Sequence, residues 1–159
     1  GIMFRGKRQS TSKCDFGQMD EEAMLEYLDG YLDSVLYIAE KLDVDVLAHL
    51  TYILRYINGK YGCNVDWRIQ EAKIRRILSA IIQRGIPLEI NLLGISERKH
   101  YPNWRFWEIA AEEGCPVILG RDAHNPAAFF EKETEAVALQ KVKELGLQLL
   151  ETVQLRPIQ

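Results

Sequence analysis

Between Leu25 and Ala39 apolar residues recur three and four apart, at Leu25, Leu28, Leu32, Val35, Leu36 and Ala39. That is the stripe of an amphipathic helix with one buried face. Asp20 is placed to cap it, and Glu21 and Glu22 complement the positive end of its dipole, so a helix is expected over about 20–41. The pattern then shortens to DVDVLAH, residues 43–49, rich in β-branched residues, which predicts a buried strand ending at His49. A tyrosine-rich stretch with Gly59 and Gly62 predicts a loop over 51–64. Ile69, Ile74, Ile77, Leu78, Ile81 and Ile82 mark a second helix over 67–84, with Gly85 as its stop.

Strand and helix go on alternating. IPLEIN at 86–91 predicts a strand, 104–113 a helix stopped by Gly114, and PVIL at 116–119 another strand. A helix over 131–145, ended by Gly146, and a last strand over 147–153 complete the order. Repeated βα units with short buried strands imply an α/β fold with a parallel sheet, or part of a barrel. In such folds the chemistry sits at the carboxyl ends of the strands. His49, Asn91 and the Asp122/His124 pair fall at three successive strand ends.

Composition narrows the class. The 159 residues, 47% hydrophobic and 27% charged, describe one soluble globular domain. No run reaches the roughly 18 apolar residues of a membrane span, and the opening lacks a signal-peptide core, so a cytoplasmic chain is expected. A net charge of −3 gives no field for recruiting nucleic acid. The first thirteen residues carry Arg5, Lys7, Arg8 and Lys13 and no acid, which predicts a solvated polar end distinct from the folded remainder. Cys14, Cys63 and Cys115 are odd in number and far apart, fitting neither a disulfide framework nor a cysteine-rich zinc module. Free thiols are expected, with Cys115 a small core residue.

The candidate chemistry lies in GRDAHNP, residues 120–126. Aspartate and histidine are ligands for Zn, Mn or Fe, but Asp122 and His124 alone cannot fill a coordination sphere. His49 is the natural third donor, although a histidine at a strand end is more often a hydrogen-bonded structural residue. Arg55, in HLTYILRY, suits a phosphate through bidentate hydrogen bonds or is simply a surface arginine. Arg98 and Lys99 form a second basic pair, with His100 beside them as a loop residue. Tyr52, Tyr56, Tyr61 and the Trp104/Phe106/Trp107 group either wall a ligand pocket or, more often, pack loops onto a core. There is no GxSxG, no phosphate-cradling glycine-rich loop and no GxGxxG, which leaves metal-assisted hydrolysis as the reaction these residues would support.

The ordered motifs DVLAHLTYILRY, LEINLLG and CPVILGRDAHNP resemble the carboxyl-terminal portion of the PHP-type histidinol phosphatases, over about residues 20–159 and including Arg156-Pro157. The resemblance implies the carboxyl-terminal part of a distorted (β/α)7 barrel, with up to three divalent metals at its mouth, hydrolysing L-histidinol phosphate to L-histidinol. It implies His49, Asp122 and His124 as metal ligands and Arg55 as a contact of the substrate phosphate. Residues 1–19 would be a loop of the longer barrel. Two departures stand out. Arg121 occupies a position where serine is usual, and Ser96 replaces the arginine of an Asn-Thr-Ser-Gly-Leu-Arg run, leaving Arg98 to reach the same phosphate. The HxH pair and further ligands of the amino-terminal half have no counterpart in these residues. The chain is therefore expected to be inactive alone and to pair with that half or with a second copy. The alternatives are a divergent phosphoesterase on another substrate and a non-catalytic interaction or regulatory module.

Overall fold

A computed structural model describes residues 2–60, 66–97, 103–129 and 132–156. Its elements run β1 (Ile2–Phe4), β2 (Lys7–Gln9), α1 (Glu21–Lys41), α2 (Glu71–Gln83), β3 (Leu88–Asn91), α3 (Leu92–Ser96), α4 (Trp104–Glu112), β4 (Pro116–Gly120), α5 (Pro126–Phe129), α6 (Glu133–Leu145) and β5 (Gln148–Leu149). β3, β4 and β5 form a parallel sheet in that order, and Leu47 adds an isolated parallel bridge to Leu88. The chain is thus an α/β protein, with helices packed on the sheet.

α1 forms where the periodicity places it. The Asp20 carboxylate accepts the Ala23 N–H at 2.8 Å, Glu21 and Glu22 lie in the first turn, and Lys41 lies in the last. Its buried stripe is Ala23, Met24, Tyr27, Leu28, Leu32, Val35, Leu36 and Ala39, with Leu25 at the margin. α2 buries Ile74, Ile77, Leu78 and Ile81 against α1, as expected. Ile69, counted into the same helix, instead sits in a preceding 3-10 turn, Trp67–Gln70, and is exposed. Left-handed glycines end three helices: Gly85 at φ 65° after α2, Gly114 at φ 70° after α4 and Gly146 at φ 68° after α6. Phe106 and Trp107 are buried, so that part of the aromatic group belongs to the core.

Three local expectations change. The strand expected over 43–49 shrinks to the Leu47 bridge, held by Leu47 N–H to Pro87 O and Glu89 N–H to Leu47 O, both 3.0 Å. His49 takes a left-handed φ of 33°, which ends an extended run, and Asp43 and Asp45 turn away to bind Arg156. The strand expected over 147–153 is cut to two residues because the chain then leaves β5 and crosses to the other edge. There Arg156 donates to Asp45, Asp43 and the Arg84 carbonyl. Arg55–Lys60, expected as loop, is a turn of π-helix.

The basic opening is also more ordered than a polar loop. β1 and β2 form a hairpin turned at Arg5-Gly6, both with positive φ, the geometry that matches strand twist. Ile2 and Phe4 are buried, the Phe4 and Phe16 rings pack on Tyr27 at 5.2 and 5.0 Å, and Arg5 bonds Glu26 of α1. Lys7 and Arg8 stay exposed, so the charge reading holds for the side chains while the backbone is anchored. Among the described residues no helix is long and apolar enough to cross a membrane.

Two outcomes follow from the packing. Ile81 of α2 is fully buried in the core, so Ile81→Ala should cost about 2–5 kcal/mol and lower Tm on the order of 10 °C, read by thermal unfolding. Burial pushes the Cys115 thiol up to about 12, so at pH 8 it is protonated; peptide mapping after a thiol reagent should find Cys115 unmodified in the native chain and modified in urea.

Candidate functional site

The site is built around the carboxyl end of β3. Leu88 and Ile90 point to the helix-covered side and are fully buried, so Glu89 and Asn91 point to the opposite face. The parallel register sets Glu89 beside Ile118 and Asn91 beside Gly120. Gly120 matters here for space and not for backbone freedom. A Cβ on it would lie 1.8 Å from Glu89 Oε1, so the glutamate side chain rests directly over the glycine.

From that position Glu89 reaches the neighbouring strand end. Its Oε2 accepts the His49 N–H at 3.0 Å and the Asn91 side-chain N–H at 3.3 Å. Asn91 is only 2% exposed and uses both ends of its amide: Oδ1 accepts the Gly94 N–H at 2.9 Å, capping α3, and Nδ2 donates to Asp122 Oδ2 at 3.1 Å. Glu89 and Asn91 therefore hold two residues whose backbones are left-handed, His49 at 33° through its N–H and Asp122 at 49° through its carboxylate. Such conformations persist in non-glycine residues only when the surroundings over-determine them.

His124 Nδ1 lies 2.8 Å from the Asp122 carbonyl oxygen. A carbonyl only accepts, so Nδ1 carries a proton, and in the neutral ring the lone pair is on Nε2, on a side chain 71% exposed. A backbone carbonyl that fixes the tautomer in this way is the usual support of a ligating histidine. Arg121 is drawn off to Glu135 of α6.

On the flank, the His49 ring lies 5.1 Å from Tyr52, and the Tyr52 and Tyr56 hydroxyls share a 2.9 Å hydrogen bond. The Arg55 guanidinium lies 5.8 Å from the Tyr52 ring centre and 6.0 Å from that of Tyr56. Its Nη2 also pairs with Glu97 Oε2 at 3.6 Å, just beyond α3.

Of the residues singled out in the sequence, Asp122 and His124 are adjacent, His49 joins them through its backbone N–H and Glu89, and Arg55 faces Glu97. Arg98 and His100 lie outside the described residues. Among the described residues no three histidine, cysteine or acidic side chains converge closely enough to hold a metal ion. Asp122 and His124 have suitable donor chemistry, but as placed they do not close a metal site. Glu89 and Glu97 carried no role in the sequence reading. The signal for Glu89 was two polar residues two apart on an otherwise apolar strand, a pattern that points both to one face. No comparable signal marked Glu97.

Compared with known proteins, the chain is 32% identical over 97 residues to a probable histidinol-phosphatase from Thermotoga maritima. The alignment covers 59% of this chain and 39% of that protein. No family model matches the chain, and neither does any solved structure.

Because Glu89 occupies the space over residue 120, Gly120→Ala should push its carboxylate off and cost about 1–3 kcal/mol. Denaturant melts would measure the loss, the His49 amide should shift and exchange faster by NMR, and adding Glu89→Ser should recover part of the stability.

Proposed function

We propose that this chain is the carboxyl-terminal part of a PHP-type, histidinol-phosphatase-like phosphoesterase, its sheet a segment of the distorted (β/α)7 barrel. The reaction proposed is hydrolysis of a phosphate monoester, with L-histidinol phosphate as the substrate of choice. The observation that carries the reading is the joining of His49, beside the Leu47 bridge, to Asn91 and Asp122/His124 at the ends of β3 and β4, through Glu89 and Asn91. Carboxyl ends of parallel strands are where α/β enzymes hold their chemistry. The similarity to the Thermotoga maritima protein supports a histidinol-phosphatase-like relationship.

In this reading His49, Asp122 and His124 contribute donors to Zn, Mn or Fe, with the remaining ligands coming from the amino-terminal part of a longer protein. Divalent metals would supply an acidified water and charge neutralisation at phosphorus. The chain's own residues supply positioning: Arg55 takes phosphate oxygens, Arg98 offers a second cation, Glu89 fixes the His49 backbone and Asn91 the Asp122 carboxylate. A non-catalytic or divergent role is favoured by one specific feature, the Glu97 carboxylate already on Arg55.

The test compares this chain with the same chain extended at its amino end by the barrel half that the proposal requires. Phosphate release from L-histidinol phosphate should be absent in the first and present in the second, abolished by EDTA and restored by Mn2+. In the extended protein Arg55→Ala should raise KM by roughly tenfold with metal content unchanged. An extended protein that binds no Mn, Zn or Fe and releases no phosphate would sink the enzyme reading.

A further inference from the structure

We infer that Glu97 is a specificity-determining residue, making Arg55 select phosphate monoesters that carry a nearby ammonium group over simple alkyl phosphates. The inference rests on the reading of Arg55 as a phosphate-binding residue.

The guanidinium of Arg55 lies between an aromatic pair and a carboxylate. The Tyr52 and Tyr56 rings lie beside it at 5.8 and 6.0 Å and are fastened to each other by their 2.9 Å hydroxyl contact, so their hold does not depend on Glu97. Glu97 lies 3.6 Å away, at the long end of an ion pair. Both side chains are about one third exposed, 31% and 36%, and can be reached by a ligand from solvent. A pair of this length and exposure is weak, and a phosphate can outbid the carboxylate because it presents two oxygens to the guanidinium fork.

The exchange leaves Glu97 with a cost. A carboxylate that loses its cation and stays next to a phosphate feels like-charge repulsion, stronger still for a dianionic monoester. An ammonium group a few bonds from the ester oxygen removes that cost: the phosphate takes Arg55 while the ammonium takes Glu97. One opposite-charge pair is replaced by two. A simple alkyl phosphate has nothing to offer the carboxylate, so Glu97 counts against it. Selectivity of this kind comes from a repulsive element as much as from an attractive one.

The probes are O-phosphoethanolamine and ethyl phosphate, titrated into the 159-residue chain and followed by NMR through the Arg55 side-chain N–H signals and the backbone amides around them, the latter also reporting on the variant without the arginine. The native chain should bind phosphoethanolamine more tightly. Glu97→Gln, at an exposed position, should shift the ratio of the two dissociation constants toward ethyl phosphate by roughly fivefold, the size expected of a solvent-screened pair. Glu97→Asp should restore part of the preference, and Arg55→Ala should remove binding of both. If Glu97→Gln moves the ratio by less than about twofold while Arg55→Ala still abolishes binding, the role of Glu97 is overturned and that of Arg55 stands. If neither probe perturbs the Arg55 signals, the phosphate reading of Arg55 fails, and this inference with it.

Discussion

Glu89 can lie across the sheet only because the residue beside its path, Gly120, has no side chain. The parallel register of β3 and β4 makes that approach unavoidable, since it sets Asn91 against Gly120 and Glu89 one residue pair earlier. Much of the strand-end geometry depends on this close approach. With its carboxylate over the glycine, Glu89 receives the His49 N–H from one side and the Asn91 amide from the other. With Asn91 so held, the start of α3 is capped and the Asp122 carboxylate is fixed. Removing the space at one residue would therefore be felt at the ends of β3 and β4 and at the His49 turn beside the Leu47 bridge.

The cost of this arrangement is local backbone strain. His49 and Asp122 both adopt left-handed conformations, which for a residue with a side chain are unfavourable by on the order of 1–3 kcal/mol each. Hydrogen bonds from buried or half-buried β3 side chains offset part of it, and the helices behind the sheet keep β3 where it is. Asn91 in particular is buried with every strong hydrogen-bonding direction but one engaged, so it has little freedom to adapt. Electrostatics at the site are divided. The Asp122/His124 end exposes an acceptor nitrogen and a carboxylate, while the Arg55 end offers a cation balanced by Glu97. A ligand bearing both charges would meet complementary groups at the Arg55 end.

The sheet also shows how a strong local pattern can be overruled. DVDVLAH reads as a strand on β-branched content, yet only Leu47 pairs. Asp43 and Asp45 have better partners in Arg156, which arrives from the far end of the chain, 111 residues from Asp45. The same crossing shortens β5. In the opening segment the reverse happens: a basic, glycine-containing stretch forms a hairpin because Ile2 and Phe4 find an apolar surface on α1. Charge count described its side chains correctly and could not reveal that surface.

What the sequence by itself determined are the features set within a few residues: the stripe and cap of α1, the buried isoleucines of α2, the glycine stops, the two strands LEIN and PVILG, and hence an alternating α/β order with Asn91 and Asp122/His124 at strand ends. Periodicity, capping and turn chemistry act over one or two turns of chain, so they are written locally. Tertiary structure alone decided that Glu89 belongs to the site, that Gly120 is there to admit it, that Glu97 faces Arg55, and that Arg156 ties the two edges of the sheet. Each of these joins residues dozens of positions apart, such as the 40 between His49 and Glu89 or the 31 between Asn91 and Asp122. Their meeting depends on strand register and helix packing, which the side chains settle collectively and no single stretch of sequence encodes.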